Sequence, residues 1–417
     1  MASKHKFVNG PINVVHLTGS VGKIEKSIYL FMDFHIQHQT KCENIRSIDV
    51  DKFFIDTYDR AAKNDPKKIY DFFMERGPLE PYTINPKEKG IYIETMIDIF
   101  YKSFKINLTK NKVLKSDTIP NVRFHHVDIR DYVVDLDVYY NIIRMADNLW
   151  DQKGYSINSM RHLYQSINDA IQQSRIYKLY EYTYKNMIKT NPILKKKFLS
   201  TGRNIKYDVP LIDLDNMAKK AIYKLRYAYQ HDSIKKNINE IMDSDLLKLY
   251  NALSTKMENL MKHISGIIKE HEKYGEHDHR DILLQQIDGT YDYGISKKII
   301  LDNIRFIYDT MKEIANIFMD IGVMYMDLFL LRRFLDKDYV KHASAYTGAF
   351  HSVDYIRLLI KYFGFEITHY SYLKNNNIKQ AHDMAKKSSS MHDMTALFYP
   401  VIFLQCSDLG SFPEDLD

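Results

Sequence analysis

The hydrophobic positions follow one period at the two ends of the chain and another in the middle. Near the start, Ile12-Asn13-Val14-Val15-His16-Leu17 reads as a strand. Ser27-Ile28-Tyr29-Leu30-Phe31-Met32 reads as a buried parallel strand that ends abruptly in Asp33-Phe34-His35 and turns polar towards Cys42. From Val50 to Phe73 the apolar residues Phe53, Phe54, Tyr58, Ile69, Phe72 and Phe73 keep helical spacing, which Gly77-Pro78 and Pro81 stop. Gly90-Ile91-Tyr92-Ile93-Glu94 predicts a short strand ending in a carboxylate, with a helix from Thr95 to Phe104 behind it. Pro120 to Arg130 predicts another strand ending in charges. Strands and helices in alternation predict a parallel sheet with right-handed crossovers.

From about Leu136 to Leu335 strand signals vanish. Ile157, Met160, Leu163, Ile167 and Ile171 share one helical face, and Leu246, Tyr250, Leu253, Met257, Leu260, Ile264 and Ile268 share another. Strand character returns at Ala343 to His351, followed by a helix with Tyr355, Leu358, Leu359 and Tyr362 and a strand over Gly364 to His369. A late apolar run, Leu397 to Leu404, predicts an edge strand or helix. The predicted fold is α/β: a parallel-sheet core built from residues 1–135 and 339–417, with an all-helical insertion over residues 136–338.

Gly19-Ser20-Val21-Gly22-Lys23 lacks the spacing of a phosphate-binding loop, which requires glycine at position 17 and serine or threonine at position 24; the chain has Leu17 and Ile24. A turn between strands accounts for both glycines. The charge of +6 is spread over 59 basic and 53 acidic side chains with no concentrated basic tract, which argues against a nucleic-acid partner. Two cysteines, Cys42 and Cys406, are too few for a disulfide framework or a four-cysteine zinc site and suggest a reducing compartment. No apolar leader follows Met1, so a cytoplasmic rather than secreted protein is expected. The apolar helix around Ile314 to Leu331 is interrupted by Asp320 and Asp327, which predicts a buried core helix rather than a membrane span. Heavy use of Lys, Ile and Asn suggests an AT-rich genome, as in many parasites and large DNA viruses. His271-Glu272-Lys273-Tyr274-Gly275-Glu276-His277-Asp278-His279 holds potential metal ligands, but its glycine and dense charge read as a solvated turn.

Four predicted strand ends present polar groups: Asp33 with His35, Glu94, Asp128 with Arg130, and His351. In a parallel sheet such ends share one edge, where open α/β folds place their sites. A histidine beside a carboxylate serves as a general base, and two histidines with acids (His35, His351 and Glu94) can instead hold a divalent transition metal that activates water. Arg130 and Arg333 are candidates for holding an anionic group, with Asp128 beside them.

The pattern Met32-Asp33-Phe34-His35, Ile93-Glu94 and Gly348-Ala349-Phe350-His351 resembles the superfamily of erythromycin esterase-like, ChaN-like and TraB/TIKI proteins. In that group an early strand ends in Gly-Glu-x-His, a second in Glu, and a late Gly-x-x-His follows; Arg332-Arg333 resembles the arginine upstream of the late histidine. Met32-Asp33 replaces the Gly-Glu pair. The resemblance implies a hydrolase of a small-molecule or peptide substrate, with His35 as base or ligand, His351 as its partner, and Asp33 and Glu94 orienting them. The altered pair and the large insertion leave a second reading: a catalytically degenerate binding or structural protein of a virus, with a protein partner on the helical insertion. Either would act in the host cytoplasm or the virion.

Overall fold

The computed structural model describes residues 7–35, 42–76, 92–108, 114–185, 216–273, 297–402, 404–414 and 416. The chain divides into two compact units, one of residues 1–129, 224–241 and 326–417, the other of residues 130–223 and 242–325. Residues 224–241 and 326–338, expected in the helical insertion, thus group with the α/β unit.

The strands of the first unit are β1 (Phe7–Asn9), β2 (Asn13–Val21), β3 (Ile24–Asp33), β4 (Ile48–Asp49), β5 (Tyr70–Met74), β6 (Ile106–Leu108), β7 (Leu114–Ser116), β8 (Val122–His126), β9 (His342–Gly348), β10 (Glu366–Tyr370) and β11 (Cys406–Asp408). Its main sheet has the order β10-β2-β3-β9-β5-β8. Neighbours β3, β9, β5 and β8 are parallel, whereas β2 runs antiparallel to both β3 and β10. The parallel core is therefore assembled from both ends of the chain, with β9 seated between β3 and β5. The reversal at β2 departs from an all-parallel sheet and has a local cause. Val21 pairs with Ile24, leaving a two-residue turn, and Gly22 takes φ +61° at its first position, a conformation glycine adopts without strain. This hairpin replaces the rejected phosphate loop.

Helix α1 (Val50–Asn64) stops before the predicted end at Phe73 because Pro66 favours an extended residue ahead of it, and Asp65 sits at φ −141°, ψ 94°. The next apolar run is β5, whose five residues are all buried. A strand covered on both faces carries no alternation, so Ile69, Phe72 and Phe73 mimic helical spacing. The strand predicted to end in Glu94 is instead the start of helix α2 (Tyr92–Ser103). Rings from α1, α2 and the sheet form the core on one face: Phe54 packs on Phe72, and Phe100 on Tyr346. Ile28, Leu30 and Met32 alternate with Tyr29 and Phe31 along β3 and are buried too, so both faces are covered.

β11, β1 and β4 make a small separate sheet. Beside it Cys42 and Cys406, 364 residues apart, are joined in a disulfide with Cα atoms 5.0 Å apart. Cysteine number alone suggested a reducing compartment, whereas this pairing suits an oxidising one.

The second unit is helical: α3 (Arg130–Val133), α4 (Leu136–Gln152), α5 (Ile157–Gln173), α6 (Arg175–Tyr180), the start of α7 (Asn216–Arg226), α9 (Leu247–Lys273) and most of α10 (Lys297–Asp336), while α8 (Asp232–Ile241) belongs to the first unit. A reciprocal Ser156–Ser159 capping box starts α5. Met160, Leu163, Ile167 and Ile171 are buried on α5, as are Tyr250, Leu253, Leu260 and Ile264 on α9, matching the predicted stripes. Residues 274–279 of the histidine-rich turn lie outside the described residues. α10 is long and apolar enough to cross a membrane by length and composition, and 67% of its apolar window is buried inside the structure, as suits a core helix. After β9 come α11 (Ala349–Phe363), α12 (Ile378–Lys387) and the short α13 (Thr395–Phe398), which takes up the start of the late apolar run.

Candidate active site

The carboxyl edge of the parallel strands gathers three polar ends. Asp33 on β3 is in register with Gly348 on β9, and Met74 on β5 with Tyr346 on β9. Glu75 follows Met74 directly, so Asp33, Gly348 and Glu75 sit on three adjacent strands. His35 stands two residues beyond Asp33, and His351 lies in the first turn of α11.

Asp33 is saturated with donors. Its Oδ1 accepts the His35 backbone N–H at 2.6 Å and pairs with His35 Nδ1 at 2.9 Å, while its Oδ2 accepts the Tyr346 hydroxyl at 2.7 Å. These bonds hold His35 at φ +58°, in the left-handed region. An imidazole that donates from Nδ1 presents the lone pair of Nε2, and that nitrogen faces Glu75 Oε1 at 4.0 Å.

A second acid–histidine pair approaches the same carboxylate from the other side. His351 Nδ1 meets Asp327 Oδ1 at 2.7 Å, and His351 Nε2 lies 3.5 Å from Glu75 Oε1. Glu75 Oε2 accepts the Gly348 N–H at 2.6 Å, at the N-terminus of α11, where the helix dipole favours an anion. Behind Asp327 stands Asp354, itself bonded by the fully buried Arg357 (Nε to Oδ1, 2.7 Å). The order is Asp33–His35, Glu75, His351–Asp327: two acid-backed imidazoles on one carboxylate. Burial opposes charge on His351, but Asp327 and Glu75 outweigh it and raise the imidazole to about 10. Burial pushes the Asp327 carboxyl up to about 7 against the pull of His351. The proton retained at neutral pH resides on His351, since two carboxylates flank it.

Gly348 leaves room that the His35 ring and Glu75 occupy. A Cβ there would stand 3.0 Å from His35 Nε2 and 3.3 Å from Glu75 Oε2. Gly348→Ala is expected to cost about 1–3 kcal/mol through overpacking and to displace the His35 ring. Thermal unfolding and the imidazole signals in a ¹H–¹⁵N spectrum check this; an unmoved His35 signal contradicts it.

Of the sequence-predicted residues, Asp33, His35 and His351 come together. Glu94 lies in α2, and its side chain is outside the described residues; the carboxylate between the histidines is Glu75. Asp128 follows β8 and donates its N–H to the Arg76 carbonyl, while Arg130 opens α3 in the helical unit. Arg333 stacks on Tyr339, which precedes β9 and so lies at the amino edge, away from the histidines. There Asp71 binds Arg123 and His125, at 2.6 and 2.7 Å. Arg333 therefore offers no anion clamp at the candidate site. Among the described residues no group of three or more His, Cys, Asp or Glu side chains is disposed to hold a metal ion. The metal set of His35, His351 and Glu94 falls partly outside the described residues, because the Glu94 side chain does; each histidine has its Nδ1 paired with an aspartate, which leaves Nε2 as the nitrogen able to ligate.

Sequence reasoning missed Glu75 and Asp327. Met74-Glu75-Arg76 repeats the design of Met32-Asp33-Phe34, an apolar strand ending in an acid, and Asp327 stood out as an acid in an apolar helix.

Compared with known proteins, residues 6–417 match a family described as "Family of unknown function (DUF5847)". Among similar proteins of Acanthamoeba polyphaga mimivirus, "Uncharacterized protein R706" is 33% identical over 98% of this chain and 97% of its own length. "Uncharacterized protein R161" is 29% identical over the same shares. No solved structure matches.

Proposed function

We propose, for a chain that belongs to the family of unknown function DUF5847 and whose matched relatives are viral, that the α/β unit is a hydrolase working by acid–base chemistry on its two histidines. The observation that carries this is the convergence of two acid-backed histidines on Glu75. His35 is the base: its side chain is 33% exposed, whereas those of His351 and Glu75 are 4% and 1% exposed, so substrate and water meet His35 first. Asp33 fixes its tautomer. His35 Nε2 takes a proton from water as the water oxygen attacks the acyl carbon, and the His351–Glu75 pair returns a proton to the leaving group. The short Asp33–His35 and late Gly348–His351 motifs support membership of the esterase-like superfamily, with Glu75 in the place the resemblance gave to Glu94. The site of action, host cytoplasm or virion, is part of the same proposal, and the disulfide favours the particle.

Hydrolysis of simple carboxylic esters by the purified protein tests this. His35→Ala and Glu75→Gln are expected to lower kcat/KM about 10²–10⁴-fold. Turnover that both variants retain, or none in the wild type, would turn the reading to a binding protein. The near-complete burial of His351 and Glu75 is the feature that favours that alternative.

A further inference from the structure

Beside the histidines lies a set of rings that the acid–base cluster does not use. Phe34 and Phe350 immediately precede His35 and His351, so each ring is carried by a Cα about 3.8 Å from that of a candidate histidine. Tyr399 bridges them, its ring centroid 5.6 Å from that of Phe34 and 5.9 Å from that of Phe350. His392 borders the other side of Phe350 at 5.9 Å. Tyr399 reaches this edge because the buried Asn13 side chain donates to the carbonyls of Tyr372 and Phe398, and Asn13 pairs with Met32, one residue before Asp33. Three segments far apart in sequence thus deliver rings to the edge where His35 opens.

Phe34 and Tyr399 are half-buried, whereas Phe350 is not spent on core packing. Phe350 is 44% exposed, although the residues after it on α11, His351 to Ile360, are all buried. Val401 and Ile402, just past Tyr399, are 89% and 70% exposed. An apolar surface that borders His35, the more accessible of the two candidate histidines, suits a ligand-binding edge. Its chemistry is specific: aromatic faces in edge-to-face contact accept another flat ring in the same way. Arg333, at the amino edge, is not placed to draw an anionic group to it.

We infer that Phe34, Phe350 and Tyr399 form the substrate-binding rim of this site and select an uncharged ester bearing an aromatic ring next to the scissile bond. This rests on the hydrolase reading for the bond cleaved, but not for the binding of the ring. Hydrolysis adds water across the acyl carbon–oxygen bond: the water oxygen joins the acyl carbon, and the alcohol leaves with a proton.

The test compares methyl acetate with methyl phenylacetate and benzyl acetate, which place a phenyl ring on either side of the same bond. Binding of phenylacetamide, followed by saturation-transfer NMR, gives a readout independent of turnover. At least about 10-fold higher kcat/KM for the ring-bearing esters is expected, the scale of burying a phenyl group. In Phe350→Ala the ratio of kcat/KM between the ring-bearing esters and methyl acetate should collapse towards one, and phenylacetamide binding should be lost. Phe350→Leu, which keeps apolar bulk without a ring, should lose most of the preference, and circular dichroism establishes that both variants fold. Equal turnover of all three esters, or a preference unchanged in Phe350→Ala, overturns the rim and leaves the hydrolase reading standing. Phenylacetamide bound by the wild type but not by Phe350→Ala, with no ester cleaved, retains the rim and removes the hydrolase. Neither turnover nor binding overturns both.

Discussion

Replacing Asp327 with alanine is expected to cost about 3–5 kcal/mol at neutral pH, because it strips a buried imidazolium of its nearest counter-charge. Asp327 is fully buried and meets His351 at 2.7 Å. Asp327→Asn keeps an oxygen for the His351 N–H and the same volume, so it should cost less. The pH dependence distinguishes lost charge from lost packing. His351 is raised from 6.5 to about 10, so the folded protein keeps a proton that the unfolded chain releases. Its stabilisation is complete below about pH 6.5 and is lost as pH rises towards 10. Asp327, raised from 3.8 to about 7, acts in the same direction: its contribution is complete below about pH 4 and lost as pH rises through 7. The wild type should therefore lose stability between neutral and alkaline pH, and Asp327→Asn should flatten that decline. On the acid side the decline with rising pH that Asp327 itself contributes between about pH 4 and 7 should vanish in the variant, leaving only the contributions of other groups. Burial lowers His16 to about 3 and His126 to about 4, so their stabilisation is present above pH 6.5 and is lost as pH falls, with or without Asp327. Denaturant unfolding at pH 5, 7 and 9 is the measurement. An alkaline slope equal in wild type and Asp327→Asn would show that His351 is not held as a cation.

The second large effect is that of the disulfide. A bond spanning 364 residues removes much of the freedom of the unfolded chain, so Cys42→Ser should lower stability by up to about 5 kcal/mol. It also ties down the chain seven positions after His35, where the Cys42 N–H donates to Asn9 Oδ1 in the β1 strand. Reductant should shift the wild-type unfolding midpoint to that of Cys42→Ser and leave the variant unmoved. A wild type indifferent to reductant would mean that the two thiols are not joined in solution.

Much of the site was legible before any coordinates. An apolar run that stops at Asp33 and His35 reads as a buried strand delivering polar groups to an edge, and Gly348 three residues before His351 marked a second such end. The helical stripes of the middle segment were equally plain, since a one-sided helix repeats its burial every three or four residues. The sequence concealed β5, and with it Glu75: five consecutive buried residues have no alternation to report, and their neighbours happen to fit a helix. Local pattern thus located β3, β9 and the helical stripes of the middle segment, but not the start of α2, where a short apolar run before Glu94 reads as a strand. Three features had to wait for tertiary structure: the insertion of β9 between β3 and β5, the meeting of Asp327 with His351 from another helix, and the joining of Cys42 to Cys406. Each depends on contacts between distant segments, and the energy that selects them comes from burying both faces of the sheet at once, which no single stretch of sequence encodes.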